Sequence, residues 1–150
     1  MKKVLCVCAD DTARSPMMAV LLQRELGNGF QVESAGVQSG CAGQRPEVYA
    51  LQCTLERGID IRRHRSRRIF DDDDNLMLYG AEYIVCASEK IENEIILYLA
   101  GDRVTKLIIA NEAGGGIKLR PGAGIEEYRE CASLIERIVP DIANQIRSYR

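Results

Sequence analysis

Within the segment Val7-Cys8-Ala9-Asp10-Asp11-Thr12-Ala13-Arg14-Ser15-Pro16, a sulfur nucleophile is followed six positions later by a guanidinium, with a hydroxyl beside it. The apolar run Val4-Leu5-Cys6-Val7 reads as a buried strand, and Met17-Met18-Ala19-Val20-Leu21-Leu22 as the start of a helix. Pro16 falls near the first helical turn, where its missing N–H costs little. Cys8 therefore sits on a strand-to-helix turn, whose backbone N–H groups and helix N-terminus make a concave anion site. Ala9, Asp10, Asp11, Thr12, Ala13 and Arg14 are the expected phosphate-binding residues. The guanidinium can clamp two oxygens of the ligand. The same positive field favours a thiolate over a free thiol, whose pKa is about 8.5. The expected chemistry is attack of the Cys8 sulfur on a phosphoryl group held by the loop.

The elements that must position this loop alternate along the chain. Strands are expected at Lys3–Val7, Phe30–Ser34, Glu82–Ala87 and Val104–Ala110, with helices at Ser15–Leu26, Pro46–Arg57, Glu89–Leu99 and Ile125–Tyr149. The last of these is expected as a long amphipathic helix, with Pro140 the point where an interruption stays open, and a short helix is expected between Ile69 and Tyr79. Strands alternating with helices predict an α/β fold, a doubly wound, flavodoxin-like parallel sheet covered on both faces. In such sheets ligands bind beyond the carboxyl ends of the strands, where the Cys8 loop falls. The 150 residues are expected to form one domain, 1–150, without repeats.

Composition narrows the function classes. A net charge of -2 makes no electrostatic case for nucleic acid or a membrane surface. No apolar run approaches the ~20 residues of a membrane span, and Met1-Lys2-Lys3 leads straight into a strand rather than a signal-peptide apolar region. The six cysteines show no C-x-x-C pairing for zinc or a redox dithiol, so a reduced, cytoplasmic protein is expected, with no metal or cofactor. Monomer is the default. Asp71–Asp74 reads as a solvated face, because four adjacent side chains do not converge on one ion. His64, the single histidine, lies in a basic loop and reads as structural, and Cys86 as core. Thr12 and Ser15 have a second reading as ordinary helix caps.

The chain resembles the low-molecular-weight protein tyrosine phosphatases and the related thioredoxin-coupled arsenate reductases over nearly its whole length. The resemblance rests on the Cys8-x5-Arg14-Ser15-Pro16 loop, Val32-Glu33-Ser34-Ala35-Gly36, Arg57-Gly58-Ile59-Asp60, His64-Arg65-Ser66-Arg67 and Ala81-Glu82-Tyr83-Ile84-Val85, in that order. It implies a phosphatase of the same fold that works through a cysteinyl-phosphate on Cys8. Ser15 inherits the family's serine that holds the thiolate, so Cys8, Arg14 and Ser15 are the implied catalytic residues. The implied partner is a phosphorylated protein or a small phosphomonoester.

Two departures stand out. The family usually has Gly-Asn where this chain has Asp10-Asp11. Two carboxylates crowding the site would oppose a dianion by about 1 kcal/mol each. The family's Asp-Pro general acid has Arg120-Pro121 in its place, and the aromatic that follows is Gly122. General acid catalysis typically supplies about 10²–10⁴-fold, so its loss predicts a slow enzyme. Three readings stay open. One is a phosphatase with a substitute acid among Asp10, Asp11 and Glu112. Another is a weak or inactive module in which Arg120 and Lys118 help bind an anionic partner. The last is an arsenate reductase, which lacks a cysteine pair because nothing follows Cys86 until Cys131. Gly36–Gly43 and Gly114–Gly124 are the expected selectivity loops, with Tyr49 or Tyr128 as the aromatic available to stack on a substrate ring.

Overall fold

The structure, a computed structural model, describes residues 1–71, 80–99 and 105–149. Its central strand, β1 (Lys2–Cys8), is fully buried from Val4 to Val7. Successive side chains point to opposite faces, so Val4 and Cys6 enter one core while Leu5 and Val7 enter another. That is why the run is apolar throughout rather than alternating with polar residues. β2 (Phe30–Gly36) and β3 (Tyr83–Cys86) flank β1, and β4 (Lys106–Ile109) extends the sheet beyond β3. The order is β2-β1-β3-β4 and every pairing is parallel, with Val4 opposite both Val32 and Tyr83.

Helices cover both faces. α1 (Arg14–Leu26), α2 (Val48–Leu55) and the long C-terminal α4 (Ile125–Ser148) pack together over the Val4 face, where Met17, Met18, Leu22, Ile135 and Ile142 fill the larger core. On the other face α3 (Glu89–Ile96) lays Ile91 and Ile95 over Leu5, Ile84 and Cys86, with Ile69 beside them. The expected single-domain, doubly wound α/β fold is what forms.

Differences from the expected elements have local causes. α2 begins at Val48 rather than Pro46, because the Glu47 N–H is held by the Thr12 carbonyl at 2.8 Å and Glu47 stays extended at φ -57°, ψ 141°. α4 is the long helix expected and runs unbroken through Pro140, where an interruption had been open. An interior proline costs about 3 kcal/mol locally, but Ile135, Val139, Ile142 and Ile146 are buried on both sides of it and hold the helix to the core. Most of the segment 69–79, and Val104 at the expected start of β4, lie outside the described residues.

At the carboxyl edge of the sheet, β2 ends against the loop that follows β1. The Val37 N–H donates to the carbonyls of Cys8 and Ala9 at 3.2 and 3.0 Å, so the backbones touch. A side chain at Gly36 would put its Cβ 2.6 Å from the Ala9 oxygen and 3.0 Å from Cys41 Sγ. Glycine at 36 is what lets the loop seat on the sheet. Gly36→Ala is expected to destabilise the protein by about 1–3 kcal/mol in urea unfolding, as overpacking does. Gly29→Ala, which meets nothing within 4 Å, should leave the transition near that of the wild type.

Candidate active site

Cys8 ends β1 and Arg14 begins α1, so the residues between them close the turn at the sheet edge. The Cys8 sulfur is 3.0 Å from Ser15 Oγ and receives the Asp11 N–H at 3.3 Å. Cys8 is only 2% exposed, yet it lines a cavity of about 260 Å³ together with Asp10, Thr12, Arg14, Glu47 and Arg120. The sulfur is therefore at the floor of a recess. The helix N-terminus above it has no side-chain cap, since Ala13 occupies the N-cap position. The reading of Thr12 and Ser15 as ordinary caps is thus set aside: Thr12 lines the cavity, and the Ser15 hydroxyl turns inward between Cys8 and Asp11.

Arg14 is half-buried and its Nη1 donates to the Ile117 carbonyl at 3.1 Å. That bond ties the loop to the segment after β4. The guanidinium borders the Cys8 cavity and also a larger recess of about 550 Å³ lined by Val37, Gln38, Arg68 and Phe70.

The two aspartates part company, and the expectation that both crowd the anion site is corrected for Asp11, which is buried and does not line the recess. Asp10 lines the cavity. Asp11 is completely buried with φ +59°, a left-handed conformation that aspartate tolerates better than most residues. Its Oδ1 lies 2.7 Å from Ser15 Oγ and its Oδ2 accepts the Arg67 N–H at 3.0 Å. His64 Nε2 lies 2.8 Å from the Asp11 carbonyl, which only accepts, so that nitrogen carries the hydrogen. His64 is structural in just the sense its setting suggested: it holds the loop from beneath. Burial pushes the Asp11 carboxyl above the usual aspartate range, against the opposing pull of Ser34, Ser15, His64 and the Arg67 N–H.

The C-terminal wall of the recess is Leu119, Arg120, Pro121 and Gly122. Arg120 is ion-paired with Glu127. Glu112, one of the candidate acids, sits on a 3-10 turn at Glu112–Gly114 and is not among the residues lining the recess. Glu47 is, and sequence reasoning missed it. Its signal was weak: an acidic residue just after Pro46, at the mouth of a helix. Tyr128 also lines the recess, edge-on to Tyr49 with centroids 5.5 Å apart. Cys86 and Cys131 lie in the cores on opposite faces of the sheet, and burial pushes their thiols up to about 12 and about 11. All six cysteines are free and buried. Asp71 is exposed and paired with Arg68, while Asp72–Asp74 lie outside the described residues. Among the described residues no helix is long and apolar enough to cross a membrane, and no cluster could hold a metal ion.

The model of the family described as low molecular weight phosphotyrosine protein phosphatase matches residues 3–149. A protein-arginine-phosphatase of Geobacillus stearothermophilus is 27% identical over 149 residues, covering 97% of each chain. A probable low molecular weight protein-tyrosine-phosphatase, EpsP of Ralstonia solanacearum, is 35% identical over 68 residues, 45% of this chain and 46% of its own. Among solved structures, the YwlE arginine phosphatase of Geobacillus stearothermophilus superposes with a TM-score of 0.82 at 24% identity, covering 99% of this chain and 94% of that one. Vibrio vulnificus Wzb in complex with benzylphosphonate gives 0.82 at 18% identity, covering 96% and 98%. At those identities the structural likeness speaks for the fold.

The raised Asp11 carboxyl has a signed consequence for stability. A group whose folded pKa lies above its unfolded value of about 3.9 stabilises the fold fully below that value. This contribution is lost as pH rises through the folded value. Asp11→Asn removes the titration, so the variant's Tm should equal or exceed that of the wild type at neutral pH. Its advantage should shrink on acidification toward pH 4. An advantage that stays constant from pH 4 to 8 would show that Asp11 keeps an ordinary carboxylate pKa.

Proposed function

Because the chain belongs to the low molecular weight phosphotyrosine protein phosphatase family, we propose that it hydrolyses phosphomonoesters, on proteins or small molecules, through a phosphorylated Cys8. The set of contacts on the Cys8 sulfur supports this reading above all: Ser15 Oγ at 3.0 Å and the Asp11 N–H at 3.3 Å, at the floor of a recess that Arg14 borders. Hydrogen bonds to a sulfur anion favour the thiolate. The thiolate attacks phosphorus, the P–O ester bond breaks, and the leaving oxygen takes the electron pair. Arg14 and the loop N–H groups balance the charge of the transferring phosphoryl group. Water then attacks the phosphocysteine, releasing phosphate and returning the thiolate.

The weak step is protonation of the leaving oxygen. Arg120 stands in our reading at the place of the family's acid; a guanidinium does not supply a proton at neutral pH, and this one is paired with Glu127. With Asp11 buried and Glu112 outside the lining, Asp10 and Glu47 are the carboxylates of this recess among the described residues. The setting that suits this chemistry is a reducing cytoplasm, where six free thiols persist.

A second reading is favoured by those same two carboxylates. A phosphorylated guanidine keeps a cationic leaving portion beside its phosphoryl group, which Asp10 and Glu47 would attract. The arginine phosphatase of Geobacillus stearothermophilus, similar over 97% of both chains, supports this substrate class.

Steady-state hydrolysis of aryl phosphates of graded leaving-group acidity tests the first reading. The expected rate falls about 10²–10⁴-fold from an activated nitrophenol to tyrosine, the span that a general acid would cover. Cys8→Ser should abolish both activities, and Arg120→Asp should raise the rate on the poor leaving group more than on the good one. Rates indifferent to leaving-group pKa would show that a proton donor is already in place. For the second reading, a phosphoarginine peptide should outcompete phosphotyrosine. Asp10→Asn with Glu47→Gln should erase that preference while sparing nitrophenyl phosphate; a preference that survives would sink it.

A further inference from the structure

Cys8, Ser15 and Asp11 form a continuous chain of polar atoms: Cys8 Sγ to Ser15 Oγ at 3.0 Å, and Ser15 Oγ to Asp11 Oδ1 at 2.7 Å. All three residues are buried, with Ser15 and Asp11 fully so. A serine hydroxyl has a single hydrogen and two lone pairs. With a hydrogen bond on each side, only two proton arrangements of the singly ionised chain satisfy it. In one, Ser15 donates to an Asp11 carboxylate and the Cys8 thiol donates to Ser15. In the other, a protonated Asp11 donates to Ser15 and Ser15 donates to a Cys8 thiolate. The net charge is -1 in both, and they differ by a concerted shift of two protons along the chain. A doubly ionised chain gives the single Ser15 hydrogen to only one of the two anions and sets two negative charges on one short buried chain, which is costly.

We infer that Cys8 and Asp11 share one negative charge through Ser15, so that the attacking thiolate exists when the Asp11 carboxyl holds the proton. This deepens the proposed phosphatase reading, on which it rests for its purpose. Asp11 touches no substrate and is a positioning residue: its protonated Oδ1 turns the Ser15 hydroxyl toward the sulfur. The remaining surroundings agree with that placement. Oδ2 accepts the Arg67 N–H at 3.0 Å, as a carbonyl-type oxygen would, which leaves Oδ1 to carry the proton. The His64 ring bonds the Asp11 carbonyl at 2.8 Å through Nε2 and stands 3.6 Å from Oδ2. The other groups facing Asp11 are Cys6 on β1, Ser34 on β2 and Cys41 in the loop after β2. Burial raises the Asp11 carboxyl in the direction that this sharing requires. An amide in place of Asp11 would donate to Ser15 at every pH. The aspartate makes the donation conditional.

The test needs no substrate. Alkylation of Cys8 by iodoacetamide in the full-length protein is followed against pH, with the adduct assigned by mass spectrometry. Wild type should titrate over a range wider than one group gives, as a coupled pair does. Asp11→Asn should collapse this to a single step whose midpoint lies at least one pH unit lower. Infrared difference spectra, wild type minus Asp11→Asn, should show the protonated carboxyl band surviving into the pH range where thiolate absorbance first appears. A band that vanishes before any thiolate forms overturns the inference. So does an alkylation profile that Asp11→Asn leaves unchanged. The infrared arm uses wild type against the pH axis alone if Asp11→Asn does not fold. Coupled titration without any phosphatase turnover would remove the proposed function and leave the shared charge standing. Turnover with uncoupled titration would do the reverse.

Discussion

The buried carboxyl of Asp11 is the group on which the site depends. It sits at φ +59° inside its own loop and meets the rest of the protein through Ser15 on α1, the Arg67 N–H and His64. A carboxyl group taken out of water is costly unless its oxygens find donors. Here the donors come from segments far apart in sequence, so the turn after β1 cannot take its shape until the stretch around 64–67 has docked. The Asp11 N–H that reaches the Cys8 sulfur at 3.3 Å points there because the left-handed backbone turns it inward.

Two further restraints set the loop on the sheet edge. From one side β2 ends at Gly36, where the absence of a side chain allows Val37 to bond the Cys8 and Ala9 carbonyls. From the other, Arg14 reaches to the Ile117 carbonyl, so the segment that carries Arg120 is tethered to the same loop it faces. The Arg14 side chain thereby also sets one wall of the recess. The Glu47 N–H closes the circle on the Thr12 carbonyl at 2.8 Å, and the start of α2 is displaced to Val48 as a result.

The charges of the recess are mixed, with Arg14 and Arg120 against Asp10 and Glu47. Arg120 is held by Glu127 on the first turns of α4, so its guanidinium is part of the wall and not a free arm. The recess thus presents both signs of charge to whatever enters it.

From sequence alone, the parallel sheet and the loop were legible because both are local. A run of buried residues from Val4 to Val7 dictates a central strand, and Cys8-x5-Arg14-Ser15-Pro16 places a turn between strand and helix at the sheet edge. The same reading placed His64 as structural. It left Pro140 open, because local helix propensity says nothing of the apolar face that α4 buries on both sides of that residue. It could not separate Asp10 from Asp11. Adjacent residues of identical type carry the same signal, and only the docking of Ser15, Ser34, His64 and Arg67 around one of them decided which is buried. Glu47 was invisible for a related reason: its place in the recess follows from a backbone bond to Thr12, thirty-five residues away, which no periodicity encodes. Chain chemistry determined the strand-to-helix loop that carries Cys8 and Arg14. Long-range hydrogen bonds, made only when the fold closes, decided which charged groups surround it.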